Sequence, residues 1–209
     1  MGQVPTHPLW RPFEQVDLDE VDRVIVGDTS PYEVVVVPYD EAWPAQFDAV
    51  AGRIREALGD RVLELSHVGS TAVPGLAAKP VIDADLTVAD SGDEPAYLPD
   101  LEAAGFVLRV REPGWEEHRM CTVADRSVNL HIFSPGASEP QRHLMFRDWL
   151  RSHPDDRAAY AERKAEVAAR GYTRAMEYNN HKSAVVYDIY ERIFAADPAH
   201  PHDPRPRPS

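Results

Sequence analysis

The stretch over residues 66–86 constrains this chain more than any other part of its sequence. It reads SHVGSTAVPGLAAKPVIDADL, in which a Gly-Ser turn at Gly69 and Ser70 is followed by Asp83 and Asp85. Residues two apart on a strand point to the same face of a sheet, so we expect the two carboxylates to face one point. A hard dication such as Mg²⁺ prefers oxygen ligands of this kind, and backbone N–H groups of the loop are suited to a phosphate. The stretch therefore predicts metal-assisted chemistry on a phosphate.

The composition of the chain limits the classes of partner. The 209 residues carry 35 acidic and 22 basic side chains, a formal net charge of −13. Such an acidic surface argues against a large nucleic-acid interface, because that kind of interface depends on neutralising phosphates, yet a nucleotide needs only a local basic pocket. Cys121 is the single cysteine, which rules out an internal disulfide and a cysteine-rich zinc site. No apolar run approaches the roughly 20 residues of a membrane span, and no signal pattern begins the chain, so we expect a cytoplasmic protein.

The hydrophobic patterns predict an α+β (α/β) fold in which a mixed sheet of about five strands is flanked by helices. Apolar residues at three-to-four spacing over 46–58 predict an amphipathic helix. The valine-rich run 33–37 predicts a strand. Further strands are predicted over 62–68, 81–88, 106–111, 118–124 and 126–133, the last two as a hairpin. C-terminal helices over 158–170 and 173–194 are expected to close the active-site side.

Changes in composition divide the chain into three parts. Residues 1–30 mix prolines, aromatic residues and acids without clear periodicity and are interpreted as an N-terminal arm. Residues 31–196 carry the predicted sheet and helices and form one globular domain. Residues 197–209 are rich in proline, histidine and arginine, and this composition predicts a disordered tail.

Three polar side chains in or beside the Gly-Ser loop have both a functional and a structural interpretation. Ser70 is expected to contact a phosphate rather than to act as a nucleophile, because nothing in the sequence marks an activating triad. Lys79 stands before Pro80 in an otherwise uncharged loop, where it either reaches a phosphate or lies on the surface. His67 either contacts substrate or metal, or is a buried histidine that hydrogen-bonds to the loop.

Cations outside the loop are further candidates for binding an anion. Arg109, Arg111 and Arg119 lie on or beside predicted strands, and at least one of them is expected to face the site. Arg119 is the candidate we select, and the alternative for each arginine is a surface salt bridge. Lys182 lies on the last predicted helix and is a candidate pocket wall.

The order of strand, Gly-Ser turn, loop and Asp-x-Asp strand resembles that of the polymerase-beta-type nucleotidyltransferases, with 12 residues between Ser70 and Asp83. The run HVGSTAVPGLAAKP at 67–80, together with Asp83, closely resembles the signature of the GrpB family. This family is a bacterial branch of the nucleotidyltransferase-like fold, sometimes found fused to dephospho-CoA kinase. Similar segments elsewhere are Tyr39-Asp40, Trp43-Pro44, Pro113-Gly114-Trp115, His118-Arg119, Asn129-Leu130-His131, Phe146–Arg151, Tyr160 and Lys164. The resemblance covers roughly residues 33–195.

The resemblance implies a nucleotidyltransferase-like fold and a divalent metal, Mg²⁺ or Mn²⁺, bound by Asp83 and Asp85. Active members of the wider superfamily place a third carboxylate on a neighbouring strand, which is expected here within residues 128–132. No acid stands in that stretch, and Asn129 and His131 face the same side as each other. His131 is therefore the candidate third ligand or base, and its imidazole favours Zn²⁺ or Ni²⁺ over Mg²⁺.

The leading hypothesis is a metal-dependent nucleotidyltransferase that acts on a small-molecule acceptor with a nucleotide. In this scheme Asp83, Asp85 and His131 are catalytic, and the residues expected to hold substrate or phosphates are His67, Gly69, Ser70, Lys79, Arg119 and Lys182. One alternative is a non-catalytic module that binds a nucleotide or a CoA-like metabolite. Another is a biosynthetic ligase or cyclase on the same scaffold, because one fold hosts unrelated chemistries.

Overall fold

The computed structural model describes residues 5–27, 30 and 34–207, apart from the side chains of residues 19, 21 and 175. The helices and strands, in chain order, are α1 (Leu18–Val24), α2 (Trp43–Leu58), β1 (Glu64–Val68), β2 (Ile82–Thr87), α3 (Leu98–Ala103), β3 (Val107–Glu112), β4 (His118–Thr122), β5 (Val128–Phe133), α4 (Ser138–Ser152), α5 (Pro154–Ala168) and α6 (Ala175–Ala196). Among these described helices, none is both long enough and apolar enough to cross a membrane.

The strands form one mixed sheet in the order β1-β2-β5-β4-β3. β2 and β5 run parallel, whereas the other neighbouring pairs are antiparallel. β4 and β5 form the hairpin that the sequence predicts. β2 lies between β1 and β5, and its residues Ala84 and Leu86 are fully buried, as the apolar sequence of this strand requires. The expected α+β fold, a mixed sheet flanked by helices, is confirmed.

The valine-rich run 33–37 does not form the predicted strand in its described part, which begins at Val34. Residues 34–36 have no strand pairing there, and Val37 makes only an isolated bridge with Ala78. Pro38 follows at once and has no N–H group with which to extend a ladder. Val34 is instead buried in a small cluster with side chains of α5 and α6. The prediction of a strand is wrong here because Val34 and Val36 pack against side chains of helices and pair with no strand.

Two hydrophobic clusters, both larger than the one around Val34, hold the domain together. The larger one packs α2 and α3 on the sheet, and its members include Trp43, Ile54, Leu58, Ala84, Leu86, Leu101, Phe106 and Leu130. The smaller one joins α4, α5 and α6, and it takes in Val73 and Leu76 from the loop between β1 and β2. Because both loop residues are fully buried, this loop is anchored to the C-terminal helices and brings them next to the start of β2.

The two ends of the described chain contact each other. His7 in the N-terminal arm donates from Nε2 to Asp197 at 3.0 Å, and its backbone N–H donates to His202. His202 in turn hydrogen-bonds to Glu191 of α6 at 2.9 Å. Residues 197–207, for which the composition predicts disorder, therefore have defined contacts in this structure, while residues 208–209 lie outside the described part. The division of the chain at residues 31 and 197 stays a prediction.

The turn after β1 brings the backbone at Gly69 against the side chain of Asp83. Gly69 has φ +69° and ψ −168°, a region that only glycine adopts readily. A Cβ atom added at Gly69 would lie 2.9 Å from both Cβ and Cγ of Asp83, and closer still to its Oδ2. The glycine is therefore required twice, once by its backbone conformation and once by the close approach of the carboxylate.

Replacing this glycine tests that double requirement. We expect Gly69→Ala to lower the free energy of unfolding by about 1–3 kcal/mol more than Gly75→Ala, because overpacking is added to backbone strain. Gly75 is the matched control, since it also has a positive φ of +77° but a Cβ added there would meet no atom within 4 Å. Urea unfolding of the two variants measures the difference. Equal losses of stability would contradict the close approach of Asp83.

Candidate functional site

A cavity of about 280 Å³ opens between the start of β2, the Gly-Ser loop and the C-terminal helices. Six of the side chains or backbone positions predicted from the sequence line it, namely Gly69, Ser70, Lys79, Asp83, His131 and Lys182. Its wall also contains Thr71, Asn129, His143, Lys164, Tyr178 and Asn179. The cavity therefore unites the loop, the first acid of the Asp-x-Asp pair and residues of three C-terminal helices.

The two carboxylates of the pair have different partners. Asp83 accepts a hydrogen bond on Oδ1 from Nδ2 of Asn129 at 2.8 Å. Asp85 is buried and does not itself line the cavity, because Nδ1 of His143 lies 2.9 Å from its Oδ2 and 3.2 Å from its Oδ1. The second ring nitrogen of His143 is 3.5 Å from Glu139. His143 of α4 thus stands between Asp85 and the cavity.

The environment of His143 favours its charged form. Burial by itself lowers the pKa of this imidazole, but the hydrogen bond and the negative charge of Asp85, with Glu139 and Asp83 adding to them, outweigh burial and raise the pKa. His143 is a site residue that sequence reasoning missed. Its role depends on how α4 docks beside the sheet, and no local pattern around it signals that contact.

The types of donor atom at the site suit a divalent cation, but the donor atoms lie too far apart to coordinate one ion in this arrangement. Asp83 and Asp85 supply the oxygen donors that Mg²⁺ or Mn²⁺ prefers, and His131 adds a nitrogen donor suited to Zn²⁺. In the described part of the chain, however, these three residues do not bring one ligand atom each within 4.8 Å of the others. His143 is the group that occupies Asp85 in place of a cation.

A group of two histidines and an aspartate elsewhere does have its ligand atoms within 4.8 Å of one another, but its hydrogen bonds do not suit a metal site. One ligand atom from each of His7, Asp197 and His200 lies within 4.8 Å of the others. The backbone N–H of Leu9 donates to Nδ1 of His7 at 3.0 Å, so the proton of the neutral ring is on Nε2, which donates to Asp197. A metal at Nε2 would need that proton on the other nitrogen. This group joins the arm to the tail through hydrogen bonds.

Lysines from three different segments converge on the cavity. Lys79 comes from the loop, Lys164 from α5 and Lys182 from α6. The Nζ atom of Lys182 lies 3.2 Å from the hydroxyl of Tyr160, and that of Lys164 donates to the carbonyl oxygen of Ala77 at 2.5 Å. These three are the only lysines in the 209-residue sequence, in which the other basic side chains are arginines. The whole lysine content of the chain is therefore placed around one cavity.

The lysines disfavour one another's charge while no anion lies between them. Burial lowers the pKa of Lys164 to about 6, and the positive charges of Lys182 and Lys79 add to this effect. Burial, followed by the charge of Lys182, also lowers the pKa of Lys79. An anionic ligand would offset both contributions of charge. The cavity is therefore suited to an anion such as a phosphate.

Lys164 was not among the candidate site residues from sequence, although it matches the family pattern. The signal that would have found it is its position on α5. The buried residues of that helix are Tyr160, Lys164 and Val167, so a lysine stands in the apolar stripe, where burial of a charge needs a reason.

Besides Asp85, two predicted site residues lie outside the cavity. His67 stacks on Phe47 with ring planes 3° apart and hydrogen-bonds through Nε2 to Thr71 at 3.0 Å. Burial lowers the pKa of His67 to about 4. This arrangement corresponds to the structural alternative of a neutral histidine that hydrogen-bonds to the loop, although His67 is half-buried and not fully buried.

Arg119 also does not line the cavity. It is 4% exposed, and its Nε donates to Glu94 at 2.6 Å. Successive residues of a strand point to opposite faces, and the preceding residue, His118, is hydrogen-bonded to the cavity residue His131. Arg119 is therefore directed away from the cavity, and the structure corrects the expectation that it holds the charge of the substrate.

The chain is similar to several known proteins over most of its length. A family model described as GrpB protein matches residues 33–192. UPF0157 protein BH1888 of Halalkalibacterium halodurans is 47% identical over 179 residues, which cover 85% of this chain and 92% of that protein. A dephospho-CoA kinase of Mycolicibacterium paratuberculosis is 35% identical over 189 residues, which cover 77% of this chain and 46% of that protein.

A solved structure has the same fold over most of the chain. The crystal structure of conserved protein GrpB from Enterococcus faecalis matches with a TM-score of 0.61 and 27% sequence identity, covering 75% of this chain and 99% of that chain. The region that matches the family model contains the sheet, the Gly-Ser loop and the helices whose side chains form the cavity. The chain belongs to the GrpB family.

Proposed function

We propose that the cavity binds the phosphates of a nucleotide and that the protein is a metal-dependent nucleotidyltransferase acting on a small-molecule acceptor in the cytoplasm. The observation that carries the proposal is the meeting of three lysines with Asp83 and the Gly69-Ser70 turn in one cavity. Lysines supply charge-assisted hydrogen bonds to phosphate oxygens. A carboxylate beside them is out of place in a simple anion site and is suited to a metal that bridges to the phosphates.

The phosphates would be held on the helical side of the cavity. Lys79, Lys164 and Lys182 approach from three segments, so they can contact oxygens of more than one phosphate. Ser70 lies in the turn next to them and offers a hydroxyl and a backbone N–H. This arrangement supports a ligand with several phosphate charges more than a single carboxylate.

A divalent metal would be held by Asp83 and Asp85, as Mg²⁺ or Mn²⁺, with Zn²⁺ or Ni²⁺ favoured if His131 joins them. Such a metal neutralises charge on the phosphates and activates an attacking oxygen. Asp85 becomes available to it only when His143 gives up the contact at 2.9 Å. His143 is therefore expected to move when the metal binds.

A second candidate is a non-catalytic module that binds a nucleotide or a CoA-like metabolite. It is favoured by the pairing of Asp85 with His143 and by Asn129, an amide, beside Asp83 on the neighbouring strand. The similarity to part of a dephospho-CoA kinase supports a CoA-like ligand for this alternative. A ligase or cyclase on the same scaffold would differ from both by giving a product other than a transferred nucleotide.

Calorimetric titration with nucleoside triphosphates tests the proposal. We expect Mg²⁺ or Mn²⁺ to tighten binding to the unmodified protein. Asp83→Asn or Asp85→Asn is expected to weaken the metal-dependent binding by at least roughly 10-fold, because loss of a group that only orients a metal ligand already has that cost. Asp60→Asn is the control, because Asp60 is exposed on the turn after α2. Binding that neither acid affects would contradict the metal site.

Turnover of a labelled nucleotide separates the two candidates. A product that carries the nucleotide label, formed with metal and a small-molecule acceptor and lost in the Asp83→Asn variant, supports the transferase. Saturable binding without any product supports the module.

The buried lysine makes stability depend on pH in a defined direction. The pKa of Lys164 is about 6 in the folded protein, against an ordinary value of 10.5. Between these pH values the unfolded chain binds more protons, so this residue makes the free energy of unfolding rise with pH. We expect Lys164→Met to be more stable than the unmodified protein near neutral pH, with less increase of stability towards alkaline pH.

Urea unfolding across this pH range measures the effect, and phosphate binding by the same variant measures its cost to function. Arg170→Met is a suitable control, because Arg170 is an exposed cation just after the same helix. A Lys164→Met variant with an unchanged stability profile would contradict the burial of a largely neutral lysine.

A further inference from the structure

A row of three side chains runs from the exposed side of β3 to the cavity. Oε2 of Glu112, at the end of β3, lies 2.6 Å from Nδ1 of His118. Nε2 of His118 lies 3.0 Å from Nδ1 of His131, and His131 lines the cavity. Within the described part of the chain, Nε2 of His131 has no hydrogen-bond partner. His118 therefore contacts Glu112 through Nδ1 and His131 through Nε2, and His131 contacts His118 through Nδ1.

The row determines where its protons lie. An ionised carboxylate only accepts hydrogen bonds, so Nδ1 of His118 carries a proton and donates it to Glu112. While the ring of His118 is neutral, its other nitrogen is an acceptor, and Nε2 of His118 then accepts from Nδ1 of His131. The proton of His131 is consequently on Nδ1, and its Nε2 has a free electron pair on the side of the cavity.

We propose that Glu112 and His118 are positioning residues that fix the proton of His131 on Nδ1 and thereby keep Nε2 an electron-pair donor in the cavity. A histidine that works as a ligand or base is commonly oriented by a hydrogen bond on its other nitrogen. Here that partner is a second histidine, which is itself oriented by a carboxylate.

The packing of the row keeps this arrangement in place. His118 is 5% exposed and its ring stacks on that of Phe133, with the ring centroids 4.9 Å apart. Trp115 contacts it edge-on at 5.1 Å. Burial is the largest cause that lowers the pKa of His131 to about 4, so that this ring is uncharged near neutral pH. The hydrogen bonds and the packing agree on a neutral, fixed ring.

The use of this electron pair rests on the proposed function. When the acceptor is a hydroxyl, its oxygen bonds to the α-phosphorus of the nucleoside triphosphate, and the bond from that phosphorus to pyrophosphate breaks. The proton of the hydroxyl moves to Nε2 of His131 in the same step. The charge that then arises on His131 is accommodated by His118 and Glu112. When the electron pair meets a divalent cation instead, His131 becomes a ligand. Both uses require Nε2 to be free of a proton.

Nitrogen NMR of histidine-labelled protein without ligand tests the proposal directly. Long-range proton–nitrogen correlations near neutral pH are expected to show Nδ1 of His131 with a proton and Nε2 without one. A proton on Nε2 of His131 in the unmodified protein would overturn the proposal. Because no nucleotide is needed, this result does not depend on whether the proposed function is right.

Variants of the row give opposite expectations. Glu112→Gln retains an oxygen acceptor for His118, so we expect the tautomer of His131 to be kept. Glu112→Leu and His118→Phe remove an acceptor, and a shift of the His131 proton towards Nε2 is expected. His118→Phe keeps a ring to stack on Phe133, and Glu112→Leu serves if that variant does not fold. Glu117→Gln is the control, because the carboxylate of Glu117 accepts hydrogen bonds from Arg119, which is not a member of the row.

The functional readout uses the same variants. We expect Glu112→Leu and His118→Phe to lower kcat or the affinity for Zn²⁺ roughly 10–100-fold, the usual cost of losing such a partner. A loss of kcat without a loss of Zn²⁺ affinity identifies a base, and the converse identifies a ligand. A retained tautomer in both variants would contradict the proposal. The expected tautomer in a protein that binds no nucleotide would leave it standing and would refute the proposed function alone.

Discussion

The contact between the backbone of Gly69 and the side chain of Asp83 is the constraint on which the rest of the site depends. β1 and β2 are antiparallel neighbours, and their register sets Val68 opposite Asp83. The chain must therefore turn away at once, beside a carboxylate, and only a glycine has room for this. The loop that leaves this turn is held by Val73 and Leu76 in the cluster of the C-terminal helices. One close approach thus links the strand acids, the loop and the helices that carry two of the lysines.

Negatively charged and positively charged side chains lie on opposite sides of the cavity. On one side Asp83 and Asp85 are neighbours on a strand, and His143 holds the second of them. On the other side three lysines share a small space, and two of them have a lowered pKa. Burial of ionisable groups costs stability unless they are paired. An anionic ligand with several charges would offset the positive charge of the lysines, and a cation bound beside it would offset the negative charge of the aspartates. A phosphorylated ligand that carries a metal ion would do both.

The features that could be predicted from sequence are those that depend on neighbouring residues. The Gly-Ser turn, the Asp-x-Asp strand, the β4–β5 hairpin and the helices follow from local periodicity and turn residues. The strand predicted at 33–37 does not form because packing of Val34 and Val36 against α5 and α6 outweighs β-propensity, which depends strongly on context. Arg119 was assigned to the wrong face, since the alternation of a strand fixes the faces only relative to a neighbour whose position is known.

The parts of the site that could not be predicted depend on tertiary docking. His143 meets Asp85 because α4 packs beside the sheet, and the residues around His143 give no sign of this contact. Lys164 is different, because two signals in the sequence were available. It stands in the buried stripe of α5, and it is one of three lysines in a chain whose other basic residues are arginines. A lysine in the apolar stripe of a helix, in a chain with few lysines, is therefore a signal for a site residue that periodicity and turn residues do not provide.

Binding of phosphate by the cavity of three lysines is the central claim, and lysine-selective carbon-13 NMR tests it most directly. Because the chain has only these three lysines, every lysine signal reports on the cavity. We expect all three signals to shift when a nucleoside triphosphate is added, and Lys164, whose pKa is about 6 without ligand, to become protonated near neutral pH. Three signals that a triphosphate leaves unchanged, with and without a divalent metal, would contradict the claim.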